Sequence, residues 1–212
     1  KSKFYFKTMG GERLKVRDHP ELQFALNVIK KGIPWKVVAG DNPAEVERIM
    51  KDYLRRSEDC FCLSLTADEL EREVRKRVVG FEDLDEEERI KRCLTISPLV
   101  YSRIVWKRVK PLFSFQKAQE VGEFENYMTD RYVSPQVVLK TAGELLGKRI
   151  VVFIRGVNLA TEALMRSFIF LEDTCPYLVH VFLVSDEELD VLQGRGAIRT
   201  DRSQPVKVRL NS

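Results

Sequence analysis

The stretch "CPYLVHVFLV", residues 175–184, is the most apolar run near the end of the chain. Alternate residues of a strand point to opposite faces, and in this stretch both sets are almost entirely apolar. A strand of this kind is typical of the centre of a sheet that is covered on both sides. The run therefore predicts a central strand over 177–184, with His180 in its middle.

His180 is one of only two histidines in the chain, the other being His19. A histidine inside a buried strand must form a hydrogen bond through a ring nitrogen, because an unsatisfied buried polar group is costly. One interpretation is a neutral histidine packed in the core. The other is a general base beside a cysteine nucleophile. The first is favoured, because buried histidines more often have a packing role than a catalytic one.

Two further apolar runs near this strand, "KRIVVFI" (148–154) and "SFIFL" (167–171), are also predicted to be strands. Helices with recognisable ends precede them. In "DNPAEVERIMKDYLRR" (41–56), Asn42 can cap, Pro43 suits the first helical position, and Glu45 can return a bond to the cap. In "SPQVVLKTAGELLG" (134–147), Ser134 can cap and Gly147 can end the helix.

The resulting expectation is an α+β fold with helices packed on a small central sheet. Helix 135–146 is expected to pack on that sheet through Val138, Ala142 and Leu145. The remaining elements predicted from hydrophobic spacing are a strand at 3–8, a helix at 19–32, an extended segment at 34–40, an apolar segment at 60–65, a helix from Thr66 to Val79, and helical segments at 84–94 and 121–128.

Composition limits the classes of function. The chain has 212 residues and is 44% hydrophobic, which fits one domain. Its net charge of +4 does not indicate nucleic-acid binding. Its four cysteines are too scattered for a disulfide scaffold, so we expect reduced thiols and an intracellular location, cytoplasmic or nuclear. Cys60 and Cys62 lack a second pair of ligands, so neither a zinc site nor any other metal or cofactor is expected.

The stretch "RIVWKRVK" (103–110) allows two interpretations. Arg103, Lys107, Arg108 and Lys110 could hold a phosphate backbone while Trp106 stacks on a base. Alternatively, the apolar residues pack inward and the basic side chains stay in water. The second interpretation is favoured, because the charge outside this stretch is nearly balanced and no glycine-rich phosphate loop is present.

Several longer stretches share a pattern with one enzyme family. "FENYMTDRYVSPQVVLKTAGELLGKRIVVFI" (124–154) resembles the second half of the ovarian-tumour (OTU) family of cysteine deubiquitinases. "SFIFLEDTCPYLVHVFLV" (167–184) is similar to the closing strand pair of that family, where its catalytic histidine lies, and "ELEREVRKRVVGF" (69–81) is similar to its second helix. The resemblance implies one domain with an OTU-like cysteine-protease fold: a core at 34–184, an N-terminal extension at 1–33 and a polar tail at 185–212.

The catalytic motifs of the family are incomplete in this chain. The family has Asp-Gly-Asn-Cys at a helix start, but after "GDN" (40–42) this chain has Pro43 in place of the cysteine. Cys60 is the other candidate nucleophile, and there Ser57 replaces the aspartate. After His180, Phe182 takes the position of the residue that orients the imidazole, and phenylalanine cannot accept a hydrogen bond from it.

Taken together, the resemblance predicts a catalytically inactive OTU-like domain that acts as a protein-interaction module, with no catalytic residues. Ubiquitin or a ubiquitin-like protein is the partner that it implies. The main alternative is an active cysteine deubiquitinase with Cys60 as nucleophile and His180 as base. A further alternative is a nucleic-acid-associated domain that uses the basic stretch at 103–110.

Overall fold

The fold is taken from a computed structural model, which describes residues 16, 19–31, 35–171, 177–198 and 205–210. The strand expected at 3–8 lies outside these residues. The described helices and strands follow one another as α1 Pro20–Lys30, β1 Trp35–Ala39, α2 Pro43–Leu54, β2 Cys60–Thr66, α3 Ala67–Arg75, α4 Glu86–Val109, α5 Ala118–Asp130, α6 Pro135–Leu146, β3 Arg149–Arg155, α7 Leu159–Leu171, β4 Leu178–Val184, α8 Asp186–Gly194 and β5 Val206–Val208.

The strands form one five-stranded sheet in the order β2-β3-β4-β1-β5. All of its strand pairs are parallel. β4 lies between β3 and β1, and each of its residues is buried. The central strand expected at 177–184 is therefore confirmed, as is the expected arrangement of helices packed on a small central sheet.

Helices cover both faces of the sheet. One face carries α1 and α2, whose apolar residues pack against strand residues such as Val151 and Val179. The opposite face carries the remaining helices, which pack against residues such as Val152 and Phe182. Helix α6 belongs to this second layer and contributes Val138 there, as its sequence predicted. With a helix layer on each side, the inner strands read as continuous apolar runs.

The predicted helix ends are confirmed where capping chemistry is local. Pro43 is the first residue of α2, and the side chain of Asn42 accepts a hydrogen bond from the backbone N–H of Glu45 at 3.1 Å. The return bond predicted from Glu45 is not formed, because both oxygens of its carboxylate accept hydrogen bonds from Arg48 instead. At α6, Ser134 caps the start and Gly147 ends the helix in the left-handed conformation, at φ 68°.

One strand prediction was wrong. Residues 167–171 are the last part of helix α7, and the sheet receives β4 directly after it. After Ser167 the run "SFIFL" is short and uniformly apolar, so its spacing cannot distinguish a strand from a helix. The closing strand pair expected from the OTU resemblance is consequently a helix followed by one strand.

The limits predicted for the core were also too narrow. Helix α1 lies within the supposed extension at 1–33, yet Leu22, Leu26 and Ile29 are fully buried. The supposed tail at 185–212 contains α8 and β5, and β5 pairs with β1. Composition suggested a polar tail, because a three-residue strand and a short helix contain few apolar residues.

Candidate functional site

Cys60 and His180 lie on opposite faces of the sheet. Cys60 pairs in register with Arg149, and two residues further along β2 Cys62 pairs with Val151. His180 pairs with Val152, the neighbour of Val151. Since residues in register share a face and successive residues alternate, the Cys60 side chain points toward α1 and α2, whereas His180 points toward α4.

Distance separates the two residues as well. They lie two strands apart and three residues apart in register. With about 4.8 Å between strands and about 3.3 Å per residue, their Cα atoms are roughly 14 Å apart. The structure therefore does not bring together the nucleophile and base of the cysteine-peptidase alternative.

His180 is held by a neighbouring helix. Its Nδ1 lies 2.8 Å from the hydroxyl of Tyr101 in α4, and the two ring centroids are 5.5 Å apart. The side chains of His180 and Tyr101 are 2% and 0% exposed. Burial lowers the pKa of His180 to about 3, because a charged imidazolium would lose its hydration there. The ring is therefore neutral near pH 7.

The three described cysteines, Cys60, Cys62 and Cys93, differ in their surroundings. Burial raises the pKa of Cys62 and that of Cys93 to about 11. Cys60 is half-buried and begins strand β2, so it lacks the helix start that stabilises a catalytic thiolate. Cys175 lies outside the described residues.

Within the described ranges, no group of three or more His, Cys, Asp and Glu side chains could hold a metal ion. None of the helices described here is long and apolar enough to cross a membrane.

The basic stretch at 103–110 is largely engaged within the molecule. Arg108 donates to the carboxylate of Glu69 and to a backbone carbonyl of β2, and Lys110 pairs with Glu125 at 2.7 Å. Arg103 donates to the carbonyl of Met128 at 3.5 Å. Trp106, the residue proposed to stack on a base, is 4% exposed and donates its indole N–H to Glu125. Its ring is therefore covered by the protein.

In a parallel sheet, the edge formed by the carboxyl ends of the strands is the expected place for a ligand. In open α/β sheets, ligands bind beyond the carboxyl ends of the strands, where the chain leaves neighbouring strands toward opposite faces. Strand β1 leads into α2 on one face, and its neighbour β4 leads into α8 on the other. The crevice between β1 and β4 is therefore the position at which the fold would place a ligand.

This crevice is closed by the chain itself. Arg209, which follows β5, pairs with Asp186 at the start of α8, and this hydrogen bond raises the pKa of Arg209. The guanidinium lies directly against Gly40 in the loop after β1, where any Cβ would overlap it. Asp41 adds a second carboxylate near Arg209. Carboxylates at this point oppose an anion, so the crevice is poorly suited to a phosphate group.

An open cleft lies beside the crevice. It is bordered by α3 and α4, by the segment after β3 together with helix α7, and by helix α8, which follows β4. It consists of two adjoining cavities of about 630 and 480 Å³, which share the lining residues Glu86, Leu159, Glu162 and Arg195. These volumes lie within the range of small-ligand and peptide-anchor pockets.

Three exposed apolar side chains line this cleft. Ile90 and Leu94 are one helical turn apart on α4, and each is 39% exposed. Val191 of α8 is 48% exposed and lines the adjoining cavity. Single exposed apolar residues are ordinary, but these three line adjoining cavities of one cleft, where a partner could cover them together.

The arginines of the cleft are occupied. Glu162 is 8% exposed, and its two carboxylate oxygens accept hydrogen bonds from Arg166 and Arg195, each at 3.1 Å. Arg89 donates to the backbone carbonyls of Phe81 and Glu82. The guanidinium groups therefore brace the cleft walls from within the chain.

Glutamates outnumber arginines around the cleft. Its lining contains five glutamates and three arginines, which leaves two net negative charges. Glu86 and Glu187 lie in the first turns of α4 and α8, and both are exposed. Among the residues for which the structure gives contacts, neither forms an ion pair. Their charges therefore face the solvent in the cleft.

Sequence reasoning missed this cleft. The acidic stretch "EDLDEEE" (82–88) leads into α4, and its residues are mostly exposed. The available signal was the exposed pair Ile90 and Leu94 directly after it, at helical spacing but away from the buried stripe.

Comparisons of the chain with protein-family models, with curated proteins and with solved structures find no match.

Proposed function

We propose that this chain is a non-catalytic protein-binding domain whose partner contacts the cleft between α4, α7 and α8. The observation that carries the proposal is the convergence of Ile90, Leu94 and Val191 in an open cleft at the carboxyl edge of the sheet. Water contact with these side chains is unfavourable, and a partner that covers them gains roughly 25 cal/mol per Å² of apolar surface removed from water.

The geometry around the cysteines favours binding over peptidase chemistry. Cys60 and His180 lie on opposite faces of the sheet. The His180 ring is held by Tyr101 in a buried position. An active cysteine deubiquitinase would need the thiol and the imidazole in hydrogen-bond reach.

The identity of the partner stays a prediction. The OTU resemblance implies ubiquitin or a ubiquitin-like protein. A nucleic-acid partner receives less support, since Arg108 and Lys110 are paired with carboxylates and Trp106 is buried.

Site-specific photocrosslinking tests the binding role. A photoreactive amino acid replaces Leu94 in the cleft or, as a matched control, Leu112, an apolar residue that is 49% exposed outside it. We expect a discrete crosslinked partner protein from position 94 and none from position 112. Equal patterns at the two positions would contradict the proposal.

A ubiquitin-based electrophilic probe tests the peptidase alternative. We expect no labelling of Cys60 and no turnover of ubiquitin chains. Labelling of Cys60 that disappears in His180→Ala would establish the deubiquitinase instead.

A further inference from the structure

From the charges and apolar groups of the cleft, we infer that its occupant is a peptide segment that places a lysine or arginine beside an apolar side chain. This inference rests on the proposed function, because it names the chemical class of the partner at the same cleft. This cationic and apolar segment belongs to another protein.

Apolar side chains of α4 and α7 form the floor of the smaller cavity, and they indicate that part of the occupant is apolar. Ile90 and Leu94 project from consecutive turns of α4, and Leu159 and Ala163 of α7 line the same cavity. An aliphatic or aromatic side chain of a partner fits a cavity of about 480 Å³ with this lining. Arg166 and Arg195 at its border are held by Glu162, so they leave the apolar floor uncovered.

The basic part follows from the neighbouring cavity, which contains most of the glutamates. Glu86 and Glu187 line this cavity and form no ion pair with a described residue. Glu71 and Glu188 line it as well, but Glu71 is paired with Arg75 and Glu188 accepts the backbone N–H of Ser185, so Glu86 and Glu187 supply the free charge. A lysine or arginine can lay its methylene stem along Val191 and place its charged head among these groups. A carboxylate or phosphate would meet the surplus of negative charge instead.

The test begins with a random library of short peptides, selected on the full chain. A parallel selection uses the Ile90→Ser/Leu94→Ser variant, in which two exposed side chains become polar. We expect sequences enriched only on the unmodified chain to contain lysine or arginine next to a large apolar residue. Synthetic peptides of the enriched sequences are then titrated by fluorescence polarisation.

Neutral substitutions measure the charge effect. In Glu86→Gln/Glu187→Gln we expect the affinity for the enriched peptides to fall about two- to thirtyfold, the range for the loss of two exposed ion pairs. Glu87→Gln is the matched control, because Glu87 lies in the same first turn of α4 but outside the cleft lining. It should bind the peptides as the unmodified chain does. Added salt should weaken binding to the unmodified chain.

The outcomes separate the two proposals. Enriched peptides that depend on Leu94 but carry no positive charge would overturn the inference and leave the binding function intact. Equal affinity for Glu86→Gln/Glu187→Gln and the unmodified chain would overturn it in the same way. If no peptide is enriched in dependence on Ile90 and Leu94, both the inference and the function proposed for this cleft fail.

Discussion

Acidification is expected to destabilise the protein through His180. Burial holds the pKa of this residue at about 3 in the folded state, whereas an exposed histidine in the unfolded chain titrates near 6.5. Below pH 6.5 the unfolded state therefore binds a proton that the folded state does not. Because the unfolded state gains that proton, the free energy of unfolding falls as the pH falls from about 6.5 toward 3.

The magnitude follows from the two pKa values. One pH unit between them corresponds to about 1.4 kcal/mol, so the His180 contribution at pH 5 is about 2 kcal/mol below that at pH 8. This loss is a large part of the 5–15 kcal/mol that is typical of a folded domain. Ordinary carboxylates titrate mostly below pH 5, and a variant that lacks His180 separates its effect from theirs.

Urea unfolding at pH 8 and pH 5, followed by circular dichroism, measures the difference. The informative variant is Tyr101→Phe/His180→Leu, which replaces both hydrogen-bonded groups by apolar ones and leaves neither partner of this bond unmatched. We expect this variant to lose most of the difference of about 2 kcal/mol. The His19→Gln variant controls for the second histidine and should retain it. An undiminished difference in the Tyr101→Phe/His180→Leu protein would refute the assignment to His180.

Three further predictions concern local features. Asn42→Ala should lower the free energy of unfolding by about 1 kcal/mol, because α2 loses its cap, and an unchanged denaturation midpoint would contradict this role. Gly143→Ala should cost about 1–2 kcal/mol in the same assay, since a Cβ at Gly143 overlaps the Cβ of Tyr177 and the gain in helix propensity is smaller than the clash. At pH 8, native Cys62 and Cys93 should react with iodoacetamide roughly a hundred times more slowly than a free cysteine of pKa near 8.5, because a pKa of about 11 leaves little thiolate. Rapid alkylation of either residue, mapped by mass spectrometry, would contradict it.

Local chemistry in the sequence determined several elements of the fold. The cap and proline at Asn42 and Pro43 specify the start of α2, and Ser134 and Gly147 specify both ends of α6. These features depend on hydrogen bonds and backbone angles within a few residues, so neighbouring residues suffice to predict them. The strand around His180 was also predicted from an apolar run, and in that run β-branched and aromatic residues favour a strand over a buried helix.

The tertiary structure alone decided the order of the strands and what that order brings together. "SFIFL" is part of helix α7, because its apolar pattern is compatible with either structure and only interactions with residues distant in sequence select one. The separation of Cys60 from His180 depends on parallel pairing and register across β3, which join residues distant in sequence. The cleft likewise joins a cavity lined by Leu94 to a cavity lined by Val191, and no local pattern records that these cavities adjoin. Local interactions determine where helices and strands form. Their arrangement is determined by the burial of apolar faces that are far apart in the sequence. The candidate site arises from that arrangement.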